Sequence, residues 1–376
     1  MGLKKKVIGS AKTAEAKSKP EYDPSLLLQQ ALKAIEDCQP DLARKFLARI
    51  LESNPNHIEA LETMGLVELE LMNSVQTPLS FDDIQTAATN SINYFSRAVA
   101  LEPNKGHAKF LYLGQLSGGK ESIDFYQKGV ALLFKEIEAI ADQSSEEAAN
   151  LKRKLASALC SMTEIYMTDC CDEPEAESSC EAFVSKAIEY DPLSPEVYST
   201  MASVRLSQCR EGEATQALQQ SLSLWLGGAA KPGDSVWPTY PQRISHAKLC
   251  LELHLLEQAL AVLQTCQLEN DEDPECWYLF GWAYYRSGGG GDDEAGTAAG
   301  VTLEEKLDHW ADAQECLQNV LNLDEKYGTA DEGAVAHSRE LLNSIVPFLV
   351  QHNRNDIPDE GEEWVDADDD DEEMDG

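Results

Sequence analysis

The stretch DPECWYLFGWAYYRSG, residues 273–288, sets large apolar side chains three and four positions apart. Trp277, Phe280 and Tyr284 therefore fall on one face of a helix that has about 3.6 residues per turn. Gly281, directly after Phe280, has no side chain and lets a second helix approach closely. The spacing predicts the first helix of a closely packed helix pair.

A matching second helix recurs along the chain. Its pattern is a small residue, an apolar residue four positions later, a further small or apolar residue three positions after that and, in several copies, a proline. Together with the first-helix spacing, this is the pattern of the tetratricopeptide repeat (TPR). The six copies are marked by Ala43, Leu47, Ile50 and Pro55; Phe95, Ala98 and Pro103; Ala187 and Pro192; Ala214, Leu218 and Ser221; Ala259, Leu263 and Cys266; and Ala313, Leu317 and Val320.

The repeats predict an all-α fold. A weaker copy at residues 107–130 brings the number to about seven helix pairs, and the apolar pattern of residues 334–350 predicts a C-terminal capping helix. No alternating apolar pattern requires a β-sheet. We therefore expect a TPR-like α-solenoid over residues 21–352, whose first helices line a concave groove. A basic segment, 1–20, and an acidic tail, 353–376, flank it, and both are expected to be disordered.

The charge of the chain is strongly negative, at -37. The first twenty residues carry a net charge of +5, and the last twenty-one carry thirteen acids and no base, which leaves -29 on the body between them. This balance argues against direct binding of nucleic acid or of an anionic membrane surface, and no apolar run is long enough to span a membrane. It favours a basic protein partner.

The acidic tail has two interpretations. It is either a solvated tail that keeps the protein soluble or a polyanion that captures a basic segment, and we expect it to assist capture. Its candidate residues are Glu362, Glu363, Asp368, Asp369, Asp370 and Asp371.

No catalytic constellation is apparent in the sequence. The seven histidines stand apart, none lies in a metalloprotease or nucleophile motif, and the glycine-rich run at residues 287–293 lacks the Lys-Ser/Thr of a phosphate-binding loop. The ten cysteines have no zinc-site spacing and are expected to be mostly reduced core thiols. We expect no enzyme activity, no cofactor and no metal.

The predicted groove is acidic and aromatic. In TPR geometry the second, fifth, ninth and twelfth residues of each first helix face the groove, and carboxylates with aromatic rings suit a partner rich in Lys and Arg. The alternative is that the glutamates are ordinary solvated helix residues. The candidates are Glu59, Glu62, Glu164, Glu196, Glu275, Tyr278, Trp282 and Tyr285.

The chain as a whole resembles the fungal dedicated assembly chaperones of large-subunit ribosomal protein L-four. The basic start MGLKKK, the stretch TEIYMTDCCDEPEAESSCE, the stretch DPECWYLFGWAYY and the end EEWVDADDDDEEMDG carry this resemblance. The TPR signatures are shared with many proteins, whereas EIYMTD, CWYLFGWAYY and EEWVD are more specific.

The resemblance implies capture of the newly made ribosomal protein by its basic internal loop. It further implies protection from aggregation and stray RNA, passage from cytoplasm to nucleus with a nuclear import receptor as a further partner, and assembly into the pre-60S particle. We expect the chain itself to be a monomer. Two alternatives remain open, a TPR scaffold subunit of a multiprotein complex and a general chaperone of basic proteins such as histones.

Overall fold

The computed structural model describes residues 23–72, 80–228, 230–291, 301–352 and 354. The described residues form fifteen α-helices and no β-strand. The predicted basic segment 1–20 and all the acidic residues of the tail lie outside this part of the chain.

The helices are joined mostly by connections of two to eight residues, with longer ones at 224–239 and 288–302. Their bounds are α1 Pro24–Glu36, α2 Pro40–Ser53, α3 Ile58–Met72, α4 Phe81–Leu101, α5 Ala108–Leu116, α6 Gly119–Ala139, α7 Glu146–Met167, α8 Ala176–Tyr190, α9 Pro195–Ser207, α10 Glu211–Ser223, α11 Tyr240–Glu252, α12 Leu256–Gln267, α13 Pro274–Ser287, α14 Leu303–Tyr327 and α15 Glu332–Gln351. Helices α1 and α2, α3 and α4, α5 and α6, α9 and α10, α11 and α12, and α13 and α14 pack as pairs. Helix α15 packs on α14, as expected of the capping helix.

The chain divides into two compact units. Unit 1 is Met1–Ala176 and contains α1–α7, whereas unit 2 is Glu177–Gly376 and contains α8–α15. The boundary falls at the first residue of α8, so the fourth predicted pair contributes α7 to unit 1 and α8 to unit 2. The prediction of one superhelix over residues 21–352 stays a prediction.

The second-helix signature lies in the core. All of its small and apolar positions are almost completely shielded from solvent, since none of them exceeds 1% exposure. This burial is what the TPR pattern requires, and the TPR-like all-α prediction is confirmed. The positions are Ala43, Leu47, Ile50, Phe95, Ala98, Ala187, Ala214, Leu218, Ser221, Ala259, Leu263, Cys266, Ala313, Leu317 and Val320.

Three first-helix glycines explain how closely the paired helices pack. A Cβ atom at Gly65 would lie 2.7 Å from the ring of Phe95 on the companion helix, α4. The same atom would lie 2.6 Å from the ring of Tyr126 at Gly114, and 2.6 Å from the Leu317 side chain at Gly281. Such distances are shorter than van der Waals contact, so these positions require glycine unless the helices separate.

A recurring tight turn joins the two helices of a pair. Cys38, Cys209 and His254 each occupy the left-handed region, with φ of 53°, 57° and 58°. In each turn the next residue's amide bonds a carbonyl five positions back, for example Gln39 N to Ala34 O at 2.8 Å. This is the Schellman ending of a helix, which usually takes glycine because a side chain there costs about 1 kcal/mol.

Most of the cysteines are buried free thiols, as the sequence predicted. All ten are free thiols, and seven of them are buried in the helical core. Two of the three exposed ones, Cys38 and Cys209, are the turn residues described above.

Candidate partner-binding site

Unit 1 contains a cleft between α5, α6 and α7. Its volume is about 660 Å³, which lies within the usual range for ligand sites. Glu164 is the predicted site residue that lines it. The lining residues are His107, Ala108, Leu111, Tyr112, Gly114, Gln115, Ser117, Ser122, Tyr126, Lys154, Ser157, Ala158, Ser161, Glu164, Ile165 and Thr168.

Local sequence fixes the α7 wall of this cleft. Ser145 caps α7 by accepting a hydrogen bond from the Ala148 amide at 3.2 Å. Glu146 and Glu147 lie in the first turn of α7, where the positive end of the helix dipole stabilises negative charge. From this start, the residues that line the cleft recur at three- and four-residue intervals from Lys154 to Thr168. They therefore form one face of the helix.

The α5 wall is held by ring packing and by a hydrogen bond. The ring of Tyr112 stacks on Phe95 with 5.2 Å between ring centroids, and burial raises the pKa of the Tyr112 hydroxyl. His107 Nδ1 lies 2.6 Å from the Glu136 carboxylate, so Glu136 orients the imidazole. Both residues of this wall are therefore fixed by contacts within unit 1.

Glu164 is chemically distinct among the predicted glutamates. Neighbouring atoms partly desolvate its carboxylate and raise its pKa, although the residue as a whole still counts as exposed. Within the described part of the chain, Glu164 forms no ion pair, and no cation offsets this desolvation. A partly desolvated carboxylate without a counterion favours the approach of a cationic side chain.

The two predicted residues on α3 differ from each other. Glu59, in the first turn, is exposed and carries no ion pair among the described residues. Glu62 accepts a hydrogen bond at 2.8 Å from the ammonium group of Lys109, which is 1% exposed. Glu62 therefore already neutralises a buried cation of the same unit, and its use by a partner stays a prediction.

Unit 2 contains a second cleft of about 550 Å³, lined by α11, α13 and the start of α15. Asp273 caps α13 ahead of Pro274, and its carboxylate accepts the Tyr240 hydroxyl hydrogen at 2.6 Å. Glu275 and Tyr278, both predicted site residues, line this cleft. The Lys248 ammonium lies 2.6 Å from the Glu275 carboxylate, and both side chains are about half exposed.

The predicted aromatic residues on α13 contact other rings of unit 2. Trp282 stacks on Tyr285 with centroids 5.7 Å apart, and Tyr285 stacks on Trp310 at 5.4 Å. The Tyr278 hydroxyl lies 2.9 Å from His337 Nδ1 on α15. These rings are partly buried against α14 and α15, which leaves less ring surface for a partner's Lys or Arg than the groove geometry predicted.

Glu196, the remaining predicted residue of the body, lies half-buried in the first turn of α9. The tail residues from Glu362 to Asp371 lie outside the described residues. The part that any of these residues plays in partner binding stays a prediction.

Sequence reasoning missed several lining residues. Lys154 and Ser161 precede Glu164 at helical intervals, so extending the stripe backwards along α7 would have found them. Asp331 lies in the unit 2 cleft but caps α15, outside any repeat, and no repeat pattern indicates it.

The described residues offer neither a metal site nor a membrane-spanning helix. They contain no group of three or more His, Cys, Asp or Glu that could hold a metal ion. None of the described helices combines the length and the apolar composition that crossing a bilayer requires.

Comparisons with known proteins find sequence relatives and solved structures that are similar to this chain. A Schizosaccharomyces pombe protein named "Probable assembly chaperone of rpl4" is 32% identical over 289 residues, which cover 76% of this chain and 82% of that protein. An Emericella nidulans protein of the same name is 33% identical over 294 residues, 74% of this chain and 69% of that protein. A solved structure, "Assembly Chaperone of RpL4 (Acl4) (Residues 1-338)", superposes with a TM-score of 0.62 at 32% identity, covering 71% of this chain and 98% of that one. No family model matches the chain.

Proposed function

The chain belongs to the family of assembly chaperones of rpl4, and from this premise we propose that it is a dedicated chaperone of that ribosomal protein. The observation that carries the proposal is the identity of 32–33% over about three quarters of the chain. We take rpl4 to be the large-subunit ribosomal protein L-four, the client of the chaperones that the sequence resembles.

The recognition mechanism we propose is electrostatic capture of an extended basic segment, the internal loop of rpl4. The net charge of -29 on the body steers a basic ligand toward the chain at long range. The clefts then give short-range contacts, because Glu164 presents an unpaired carboxylate and Asp273, Glu275 and Asp331 line the second cleft. The proposed role is binding, without catalysis.

The proposed cellular consequence is protection and transport. Covering the basic loop keeps it from aggregating and from binding RNA that it would otherwise meet in the cytoplasm. The complex, with one copy of this chain, then enters the nucleus with an import receptor and delivers rpl4 to the pre-60S particle. Cytoplasm and nucleus are both parts of this proposal.

The test is a binding measurement with purified full-length chain and three ligands: rpl4, rpl4 without its internal loop, and core histones. We expect tight binding of rpl4, a large loss without the loop, and weaker binding of histones. Raising the salt from about 50 mM to about 500 mM should weaken binding of rpl4 strongly, since exposed charges are screened within a few ångströms. Equal affinity for histones would favour a general chaperone of basic proteins, and salt-independent binding would contradict electrostatic capture.

The acidic tail should assist this capture without determining its specificity. Deleting residues 360–376 should slow association by about tenfold or less and leave dissociation nearly unchanged, because a polyanion attracts a basic segment from any direction. Stopped-flow association rates and dissociation rates for rpl4 measure the two effects separately. Complete loss of binding on tail deletion would instead make the tail the receptor.

A further inference from the structure

The cleft of unit 1 has a charge of opposite sign at each end. Lys154 and Glu164 both lie on α7 and line the cleft. They are ten positions apart in the sequence, which places their backbones about 15 Å apart along the helix axis. Lys154 is exposed, and within the described part of the chain neither it nor Glu164 forms an ion pair.

The wall between the two charges contains no Lys, Arg, Asp or Glu. It consists on the α7 side of Ser157, Ala158 and Ser161, and on the α5 side of groups such as Leu111 and Tyr112. Hydroxyl and small apolar groups of this kind can accommodate the backbone of an extended segment without introducing a third charge.

The two charges make different demands on a ligand. Glu164 is partly desolvated, so a Lys or Arg side chain beside it would offset the cost of its burial. Lys154 repels a basic side chain at its own end of the cleft and attracts a carboxylate. A uniformly basic segment therefore satisfies one end and is repelled at the other.

We propose that this cleft binds an extended segment that carries one basic and one acidic side chain four or five positions apart. Glu164 takes the basic side chain and Lys154 takes the acidic one. The spacing follows from the separation of about 15 Å, because an extended chain advances about 3.3 Å per residue. The inference rests on the proposed function, and it makes Lys154 the residue that distinguishes the partner from uniformly basic proteins.

The test is a spacing scan on a peptide array. Each peptide of about fifteen residues carries a fixed arginine in an uncharged background, and one glutamate is moved from two to nine positions away on either side. Wild-type full-length chain should bind best when the glutamate is four or five positions from the arginine, by about fivefold over the other spacings. The side on which this maximum falls reports the direction of the bound segment.

Two variants separate the local effect from the effect of net charge. Lys154→Glu should abolish the maximum and favour a peptide that has lysine in place of the glutamate. Lys45→Glu is the matched control, since Lys45 is exposed on α2, does not line the cleft, and gives the same change in charge. Lys45→Glu should change the affinity for all peptides by the same factor and keep the maximum at a spacing of four or five positions. Circular dichroism checks that both variants keep their helical content.

The possible failures are distinguishable. A flat spacing profile for wild-type chain, or the same profile for Lys154→Glu and Lys45→Glu, would overturn the inference while the proposed function stands if full-length rpl4 still binds. If rpl4 itself does not bind wild-type chain, the proposed function fails and this inference falls with it.

Discussion

The clefts of the two units place first-helix glutamates in opposite chemical situations. In unit 1, Glu164 faces its cleft without a counterion among the described residues, and its pKa is raised by burial. In unit 2, Glu275 faces its cleft with the Lys248 ammonium 2.6 Å away. Repeat position therefore brings a carboxylate to a cleft, but the neighbouring helix decides whether that carboxylate is available to a partner.

The tryptophans allow the two units to be observed separately. None of the six lies in unit 1, and Trp225, Trp237, Trp277, Trp282 and Trp310 lie among the described residues of unit 2. Tryptophan fluorescence therefore reports unit 2, whereas circular dichroism reports the helices of both units.

The largest effect is expected from breaking the buried ion pair of unit 1. Glu62→Ala should reduce the free energy of unfolding by about 3 kcal/mol, because it leaves the Lys109 ammonium buried and unpaired. Glu59→Ala, one helical turn earlier and exposed, is the matched control and should change stability by less than about 0.5 kcal/mol. Urea unfolding followed by circular dichroism measures both variants.

The same titration followed by tryptophan fluorescence sharpens the comparison. If the units unfold independently, Glu62→Ala should shift the transition seen by circular dichroism and leave the fluorescence transition in place. Equal stability of Glu62→Ala and Glu59→Ala would contradict the structural role of the Lys109 ion pair.

Unit 2 should lose stability in mild acid through His246. Burial lowers the pKa of this imidazole to about 4, an effect larger than the opposing one of the nearby carbonyl groups of Gln242 and Pro195. An unfolded histidine titrates near 6.5, so between pH 6.5 and pH 4 the unfolded state binds more protons than the folded state. The stability that the neutral imidazole contributes is therefore complete above pH 6.5 and falls as the pH drops.

The expected loss is about 2 kcal/mol on going from pH 7.5 to pH 5, measured by urea unfolding with tryptophan fluorescence. Carboxylates titrate in the same range, so the variant His246→Gln supplies the reference. It should be less stable at pH 7.5 but show a shallower dependence on pH. Parallel pH profiles for the wild-type chain and His246→Gln would contradict the assignment.

Removing one charge from each cleft should separate their contributions to binding. Glu164→Gln should weaken binding of rpl4 by about tenfold, or about 1.4 kcal/mol, because it removes an unpaired and partly desolvated carboxylate. Glu275→Gln removes the same charge, but this carboxylate is already paired with the exposed Lys248 ammonium. The loss of affinity for rpl4 should therefore stay below about twofold. Isothermal titration calorimetry at low salt measures both, and a larger loss for Glu275→Gln would reverse the ranking of the clefts.

The smallest effect is expected at the tight turns, where each unit offers one copy of the same substitution. Cys38→Gly in unit 1 and Cys209→Gly in unit 2 should each stabilise the protein by about 1 kcal/mol or less, because glycine adopts positive φ without strain. Urea unfolding followed by tryptophan fluorescence should detect the gain in stability of Cys209→Gly. Unfolding followed by circular dichroism should detect the gains of both variants. A loss of stability in either variant would show that the thiol side chain contributes contacts that outweigh the strain.

Helical spacing in the sequence was sufficient to predict the six helix pairs that pack within a unit and to place Glu164 and Glu275 in the lining of clefts. Both follow from local periodicity, which determines the face on which a residue lies. The counterion of Glu62 could not be predicted this way, because Lys109 is forty-seven positions away and meets it only through packing. The contact of Tyr278 with His337 on α15 likewise depends on how the capping helix packs, which repeat spacing does not specify.

The close packing at Gly65, Gly114 and Gly281 has a consequence for heritable variation. Every amino acid other than glycine has a Cβ atom, so any missense change at these codons introduces one. At these positions that atom would overlap an aromatic ring or a leucine of the companion helix. Point mutation therefore offers these codons no conservative alternative, and missense alleles there should be strongly depleted in natural populations, even though these glycines have no side chain with which to bind a partner.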